Sequence, residues 1–329
     1  NSKFKFFIFC SGILYKKIGV REYCGARLIY IPLKANGWQS VFYDMLSLIF
    51  AIFFSDIILI LGISGCILLP FIKLLCKKTI ILHVDGLEWK RSKWNSIIKK
   101  FLLFSEKLGV KFADKLISDN QYIMDYLEAK YGRKSELIAY GGDHAKRVKI
   151  SDEIKARFPF LNKPYALCVA RIEPENNIHL ILEAFKDVNL NIVIIGNWKQ
   201  NKYAKRLMKK YKRFKNIFMI ESIYDVNVLD QIRSNCFIYI HGHSVGGTNP
   251  SLVEAMFLGL PIVAYNCVFN RATTGNLAIY FSTSEELKNI VKNLDNAVLS
   301  RLKSLMYNYA SSNYRWTLIV KKYEDIFKP

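Results

Sequence analysis

The chain has none of the short motifs that announce several common chemistries. It carries no Walker-type Gly-Lys-Ser/Thr loop and no Gly-x-Gly-x-x-Gly, which leaves ATP hydrolysis and nicotinamide chemistry without support. It has no Asp-x-Asp pair to ligate a metal beside a nucleotide-sugar. The seven cysteines, at 10, 24, 66, 76, 168, 236 and 267, form no Cys-x-x-Cys, and the five histidines fit no zinc spacing, so no metal is expected. Cysteines scattered through apolar stretches fit buried free thiols in a reducing cytosol better than a disulfide framework. Zinc-finger and RNP-like patterns are missing, so nucleic acid is not expected as a partner. Long apolar runs are scarce as well. Within 45–76 only Asp56 and Lys73 are charged, but Gly62, Gly65 and Pro70 interrupt the stretch. Its longest charge-free run, Ile57 to Ile72, falls about two residues short of a membrane span. The preferred reading is a helix at about 39–53, a buried strand at 57–61 and a helix at 65–76, with a transmembrane helix as the alternative.

Acids are few. Against 48 Lys and Arg stand 27 Asp and Glu, a formal charge of +21. Basic residues cluster at Lys90, Arg91, Lys93, Lys99 and Lys100, and again between Lys199 and Arg213. The second cluster falls on a predicted helix, which suits either attraction to anionic lipid or a plain solvated face. Half the residues are hydrophobic and the length, 329, suffices for two domains with real cores. The chain opens on Asn1 and reaches an apolar strand by Phe4, and so reads as truncated at its N-terminus. No signal peptide is visible, although a missing start would hide one.

Apolar strands alternate with helical patterns in two series. The first has strands at 4–10, 27–31, 57–61, 79–84, 115–118 and 136–139, with helices at 95–112 and 120–131. The second has strands at 165–170, 191–195, 217–220, 236–240, 262–265 and 278–281. Helices at about 178–187, 200–212, 225–234, 250–258 and 285–294 separate them. Continuous apolar strands alternating with helices indicate parallel sheets covered on both faces. The fold class is α/β, with two Rossmann-like domains facing a cleft. The expected domains are 1–150, 151–310 and a final helical stretch, 311–329, that packs back on the first domain.

Ligands of open parallel sheets sit beyond the carboxyl ends of the strands, and four segments fall there. His241 to Met256 supplies Gly246, Gly247, Thr248, the N-cap residue Asn249, Pro250 and Ser251. Such a turn leaves backbone N–H groups for an anion, and Glu254, one turn later, can accept hydrogen bonds from a ribose diol. After strand 165–170 come Arg171 and Asn176. Arg171 is placed either to clamp a diphosphate or to pair with Glu173 or Glu175. Gly196 and Asn197 follow strand 191–195, as a close backbone approach to a ligand or as a turn. His83 lies at the end of strand 79–84, and Asp85, Glu88, Trp89, Arg91, Ser92, Lys93 and Trp94 follow it. Tryptophan faces stack on sugars and carboxylates bind hydroxyls, although the loop can equally pack its tryptophans on the core. Gly142 and Asp143, in the turn 140–144, read as a hinge or cleft lining.

RIEPENN at 171–177 and GGTNPSLVEAMFLGLPI at 246–262 resemble the donor-binding half of family 4 glycosyltransferases of GT-B fold. VDGLEWKRSKW at 84–94, YGGD at 140–143 and IYIHGHSVGGTNPS at 238–251 narrow the resemblance to bacterial capsular polysaccharide rhamnosyltransferases. The resemblance implies that Glu254 holds the nucleotide ribose and Arg171 the diphosphate. Asn176, Gly196, Asn197, Gly246, Gly247, Thr248, Asn249 and Ser251 would complete the donor site. His83, Asp85 and Glu88 would serve the reaction centre, and Trp89, Arg91, Gly142, Asp143 and Arg271 the cleft and acceptor. It also implies transfer of a deoxyhexose, rhamnose from a dTDP- or UDP-linked donor, to a lipid-linked saccharide with retention of configuration. That places the protein in the cytoplasm, peripheral on the inner face of the cell membrane, with an anionic membrane surface as partner and no cofactor besides the nucleotide-sugar substrate. Transfer of glucose or N-acetylglucosamine, or a non-catalytic carbohydrate- or membrane-binding role, are the alternatives. Two positions depart from the wider family. Gly246 stands where it has a glutamate, and Asn176 stands where it has a lysine. Arg271 is a candidate to replace the missing cation. The family also begins with a strand and a glycine-rich loop for which nothing before residue 4 is available, so the first domain is expected to lack its N-terminal strand.

Overall fold

A computed structural model of the chain describes residues 4–15, 19–35, 37, 39–91 and 94–328. The chain divides into two compact units. One takes residues up to 118 together with 123–137, and the other takes 119–122 together with 138–328. The division falls between Leu137 and Ile138, earlier than 150, and the last helices are grouped with the second unit.

The first unit holds two sheets. Strands β1 (Phe7–Ser11) and β3 (Ala26–Ile31) pair in parallel, and the short β2 (Glu22–Tyr23) joins β3 antiparallel. Strands β4 (Ile57–Leu61), β5 (Thr79–Val84), β6 (Lys115–Ser118) and β7 (Glu136–Leu137) form an all-parallel sheet in sequential order. Between 45 and 76 the chain forms helix Gln39–Phe54, strand β4 and helix Leu69–Leu75. No helix among the described residues is long and apolar enough to cross a membrane. Helix Ser96–Phe112 is capped by Asn95, whose side chain accepts from the N–H of Ile98 at 2.9 Å. It buries Leu102, Ser105, Glu106, Gly109 and Val110, the three-and-four spacing of one helical face.

The second unit is one six-stranded sheet of β8 (Tyr165–Val169), β9 (Asn191–Ile195), β10 (Ile217–Ile220), β11 (Ile238–His241), β12 (Ile262–Tyr265) and β13 (Ile279–Phe281). Every pairing is parallel and the order is β10-β9-β8-β11-β12-β13. Both faces are covered, and so the strands are almost wholly apolar, with Asn191 at the start of β9 and His241 at the end of β11 as the exceptions. Tyr165, Leu167, Val193, Ile195 and Tyr239 pack on one side with Leu252, Val253 and Met256 of helix Pro250–Phe257. Ala166, Cys168, Ile192, Ile194 and Ile240 pack on the other with Ile181 and Phe185 of helix Ile178–Phe185. Two α-helices of the second unit lie outside the expected set. Asp152–Arg157 sits in the charged stretch after 145 and is capped by Ser151, and Val268–Thr273 follows β12.

Gly109 is a close contact of the first unit. A β-carbon there would lie 2.8 Å from Leu82 Cδ2 and 3.0 Å from Cys66 Sγ. Gly109→Ala is expected to lower stability by about 1–3 kcal/mol through overpacking, read as a reduced urea midpoint. An unchanged midpoint would show that this layer can yield.

Candidate active site

Numbered within the second unit, the strand order is the doubly wound pattern 3-2-1-4-5-6, and the order reverses between β8 and β11. The loops after these strands are therefore neighbours with no crossover helix between them. They are tied together. Ser244 donates from its backbone N and its Oγ to the Glu175 carbonyl at 2.9 and 2.8 Å, and Asn177 Nδ2 donates to the Gly242 carbonyl at 3.0 Å. Gly242 is required there, since a β-carbon would stand 2.2 Å from the Asn176 carbonyl. Asn176 is buried and donates Nδ2 to the Arg171 carbonyl at 2.7 Å. It thus braces the Arg171 turn from within. Arg171 itself is exposed, and its guanidinium stands 3.8 Å from the Glu173 carboxylate. An exposed pair at that distance holds the side chain weakly. Gly242 to Gly246 also has the Gly-x-Ser-x-Gly spacing of a hydrolase elbow. With its hydroxyl given to a backbone carbonyl, Ser244 acts as a loop tie.

The turn at 246–249 is largely self-satisfied. Gly246 has φ +142, the backbone region that favours glycine. A β-carbon on Gly247 would lie 2.0 Å from Asp119 Oδ1. Thr248 is buried; its N–H donates to Asp119 Oδ2 at 3.0 Å and its hydroxyl to the Asp119 carbonyl at 2.5 Å. Asn120 Nδ2 donates to the Thr248 hydroxyl at 3.3 Å and to Thr273 Oγ1 at 3.1 Å. Thr248 is thus a clamp on 119–120, and its N–H is already engaged by a carboxylate. Asn249 caps helix Pro250–Phe257 by accepting from the N–H of Ser251 at 3.0 Å. Ser251 Oγ donates back to Asn249 Oδ1 at 2.8 Å.

Glu254 lies one turn into this helix with both carboxylate oxygens occupied. Oε2 accepts from Arg233 Nη1, and Oε1 meets His144 Nε2 at 2.9 Å. Arg233 is 2% exposed and also pairs with Asp230 at 2.7 Å. The Trp316 indole donates to His144 Nδ1 at 3.0 Å. An indole N–H can only donate, so Nδ1 carries no proton and Nε2–H donates to Glu254. The result is one chain of contacts from Trp316 through His144, Glu254 and Arg233 to Asp230. The glycines of the 140–144 turn let it form. A β-carbon on Gly141 would lie 2.5 Å from the Trp316 ring, and one on Gly142 2.8 Å from Phe257 and Val253. Asp143 accepts from the Trp316 backbone N–H at 2.8 Å, at the start of helix Trp316–Ile326. Asp230, Arg233 and Trp316 carry no motif, and an i,i+3 acid–base pair on a helix is ordinary in a sequence. Burial singles out Asp230 and Arg233, and Trp316, which is 39% exposed, is singled out by its contact with His144.

The other sequence candidates divide into held and open side chains. Gly196 is a backbone contact, with a β-carbon there 2.2 Å from the Ala170 carbonyl. Asn197 accepts from the Lys199 N–H at 3.2 Å. Arg271 donates to Asn266 at 2.8 Å and to Asn276 at 3.3 Å and lies 4.2 Å above the Tyr280 ring, so it is secured to its own surroundings. In the first unit His83 is buried at the end of β5, and burial lowers its pKa to about 4. Glu88 accepts from Trp94 Nε1 at 3.0 Å and pairs with Arg91 at 2.7 Å. Trp89 Nε1 donates to the buried Glu106 at 3.0 Å, and Tyr126 and Tyr131 donate to the same carboxylate at 2.6 and 2.7 Å. These tryptophan N–H groups are turned toward protein acids. Asp85 keeps solvent on one side. Crowding on its other sides and the nearby Glu88 raise its pKa, against the pull of Arg91. Ser92 and Lys93 lie outside the described residues.

Residues 150–311 match the family of glycosyl transferases group 1, and residues 1–143 match a domain of unknown function, DUF1972. Comparison with curated protein sequences finds no match. Among solved structures the chain is similar to sucrose-phosphate synthase from Thermosynechococcus elongatus, with 14% identity and a TM-score of 0.76, covering 94% of this chain and 84% of that one. It is similar to Anabaena HepE in complex with UDP-glucose at 14% identity and TM-score 0.72, covering 95% and 87%. The N-terminal domain of trehalose-6-phosphate phosphatase from Candida albicans aligns at 12% identity and TM-score 0.73, covering 99% and 91%. The fold is that of the GT-B glycosyltransferases, with two Rossmann-like domains, and the matches support a glycosyltransferase.

Two outcomes follow from these contacts. Thr248→Val should cost about 1–3 kcal/mol, since Asn120 and the turn each lose a buried partner; equal urea midpoints would remove the clamp. For His83, the unfolded imidazole takes its proton near pH 6.5 and the folded one only near 4. Between these values the unfolded chain binds more protons, so stability falls as pH drops through this window, by up to about 3 kcal/mol. His83→Gln should flatten that part of the profile of urea midpoint against pH, and an unaltered slope would contradict the assignment.

Proposed function

We propose that the chain moves a sugar from a nucleotide-sugar to an acceptor hydroxyl, with the donor bound at the carboxyl edge of the β8–β13 sheet. The observation that carries the reading is Glu254. A half-buried carboxylate, fixed by Arg233 and His144, stands one turn beyond a glycine turn at the strand-order reversal, inside the stretch that matches glycosyl transferases group 1. Each carboxylate oxygen has lone pairs beyond those used by Arg233 and His144, and these suit a ribose diol. Cleavage of the donor puts negative charge on the leaving diphosphate. Arg171, exposed and weakly held, is the cation able to reach it, and the start of helix Pro250–Phe257 adds the positive end of its dipole. Retention of configuration follows the family resemblance. On the acceptor side Asp85 is the carboxylate still open to solvent, whereas Glu88 is engaged and His83 buried.

The finer reading is a deoxyhexose donor, rhamnose linked to dTDP or UDP, and a lipid-linked saccharide acceptor at the inner face of a membrane. The segments at 84–94, 140–143 and 238–251 support it through their resemblance to capsular rhamnosyltransferases. A glucose donor is the second reading, favoured by the likeness to the HepE complex with UDP-glucose.

Purified protein is incubated with dTDP-rhamnose, UDP-glucose and UDP-N-acetylglucosamine, with and without a polyprenyl-diphosphate saccharide, and nucleoside diphosphate release is measured. Acceptor-dependent release from dTDP-rhamnose is expected. Turnover of UDP-glucose alone would favour the second reading, and no binding of any nucleotide-sugar would overturn the proposal. Glu254→Ala should weaken donor binding by about 1–3 kcal/mol, the loss of one charged hydrogen-bonding group. Unchanged affinity in calorimetry would take Glu254 out of the donor site.

A further inference from the structure

Most of the exposed large apolar side chains belong to the first unit, and they are concentrated on its helices. Helix Ser96–Phe112 turns its apolar face inward, yet its outer face is not simply polar. Ile97 is 78% exposed and Phe104 52% exposed. Lys100, Lys107 and Lys111 are exposed as well, and together the five positions follow the three-and-four spacing of one outer stripe. The one acid on this helix, Glu106, is buried under Tyr126, Tyr131 and Trp89. Helix Leu69–Leu75 packs beside it and has no acid at all. It leaves Phe71, Leu74 and Leu75 at 63%, 84% and 79% exposure, and Lys77 and Lys78 follow directly. Helix Gln39–Phe54 adds exposed Ile49, Phe50 and Phe53, while its single charge, Asp44, is turned inward to Ser64.

The outer faces of these helices combine large apolar side chains with lysines and carry no acid, and the exposed acids beside them, Asp56 and Asp114, are paired with Lys78 and Lys73. A solvated surface has no use for a phenylalanine and two leucines at that exposure, and a partner protein core would be poorly met by Lys100, Lys107 and Lys111 interspersed among the apolar side chains. An anionic bilayer meets both. Phe and Leu enter the interface, and the lysine stems extend along it while their ammonium groups reach acidic headgroups. The basic helix Lys202–Tyr211 of the second unit lacks this combination. Its outer face is charged, with Lys205, Lys209 and the following Lys212 exposed, and its apolar residues Ala204, Leu207 and Tyr211 are buried.

We propose that the outer faces of helices Ser96–Phe112 and Leu69–Leu75 form a docking surface for anionic lipid bilayers. It deepens the membrane part of the function proposed above, but needs no sugar transfer to be observed. The test is co-sedimentation of the full chain with vesicles of phosphatidylcholine alone and of equimolar phosphatidylcholine and phosphatidylglycerol, without donor or acceptor. Binding to the anionic vesicles is expected, weakened by salt. Joint Lys100→Gln, Lys107→Gln and Lys111→Gln should reduce partitioning about a hundredfold. Leu74→Ser with Phe104→Ser should reduce it with no change of charge. Lys205→Gln, Lys209→Gln and Lys212→Gln remove equal charge elsewhere and should leave it within about twofold. Circular dichroism confirms that each variant is folded. Equal binding to both vesicle types, or equal loss in both lysine triples, overturns the proposal. So does a concentration-dependent dimer in light scattering that the Leu74→Ser, Phe104→Ser variant abolishes, since a second copy would then cover the face. A chain that binds anionic vesicles but releases no nucleoside diphosphate would instead count against the transferase.

Discussion

A guanidinium does not give up its proton at any pH a protein meets, so a buried arginine must be answered by carboxylates or leave a charge stranded in a poor dielectric. Arg233 is in that position. Asp230, on the same helix, and Glu254, from the helix after the glycine turn, answer it. The requirement runs outward from there. Fixing Glu254 fixes the hydrogen-bond partner of His144, and the Trp316 indole then sets the tautomer of that ring. The start of helix Trp316–Ile326 is in turn held on Asp143. A single buried cation thereby specifies where an acid one turn into a helix points, and that acid is the group on which the proposed donor site depends.

The surrounding backbone is organised by close approach. Gly242 lies against the Asn176 carbonyl, Gly196 against that of Ala170, Gly247 against the Asp119 carboxylate and Gly141 under the Trp316 ring. At each of them a methyl group would displace a neighbour, so the glycines of this half serve packing between loops more than flexibility. The same economy explains the two departures from the wider family. Asn176, in place of a lysine, is folded inward as a brace of Arg171, and Gly246, in place of a glutamate, adopts a backbone region that side chains avoid. Both positions have structural duties in this chain, and in the proposed donor site that leaves more of the anion binding to Arg171.

The first unit divides its polar groups in another way. Two of its acids are held by aromatic and basic donors, Glu106 under three aromatic donors and Glu88 under Trp94 and Arg91. Much of the positive charge and of the exposed apolar area is left outside. A chain of net charge +21 carries a positive field at its surface, and that field is what an anionic ligand would meet.

Much of the fold was legible in the residue order. Strands at 57–61, 79–84, 115–118, 191–195, 217–220 and 262–265 carry their predicted bounds, because parallel strands covered on both faces need largely apolar runs and a glycine or polar residue follows each of them. The turn at 246–249 with its Asn249 cap was equally visible, since capping is a local matter of spacing. Helix Val268–Thr273 was not, being too short for a period to emerge. Nor was the division of roles among polar residues. Thr248 and Asn176 look like ligand donors in a sequence, yet tertiary packing turns them inward to Asp119 and Arg171. Arg233 looks like a surface cation and is buried, while Trp316 stands 62 positions beyond the Glu254 that it supports through His144. Periodicity and capping depend on neighbours a few residues apart, and the sequence by itself determined what they govern. Which hydrogen bond a polar side chain makes depends on groups a hundred residues away, and only the tertiary structure decided that.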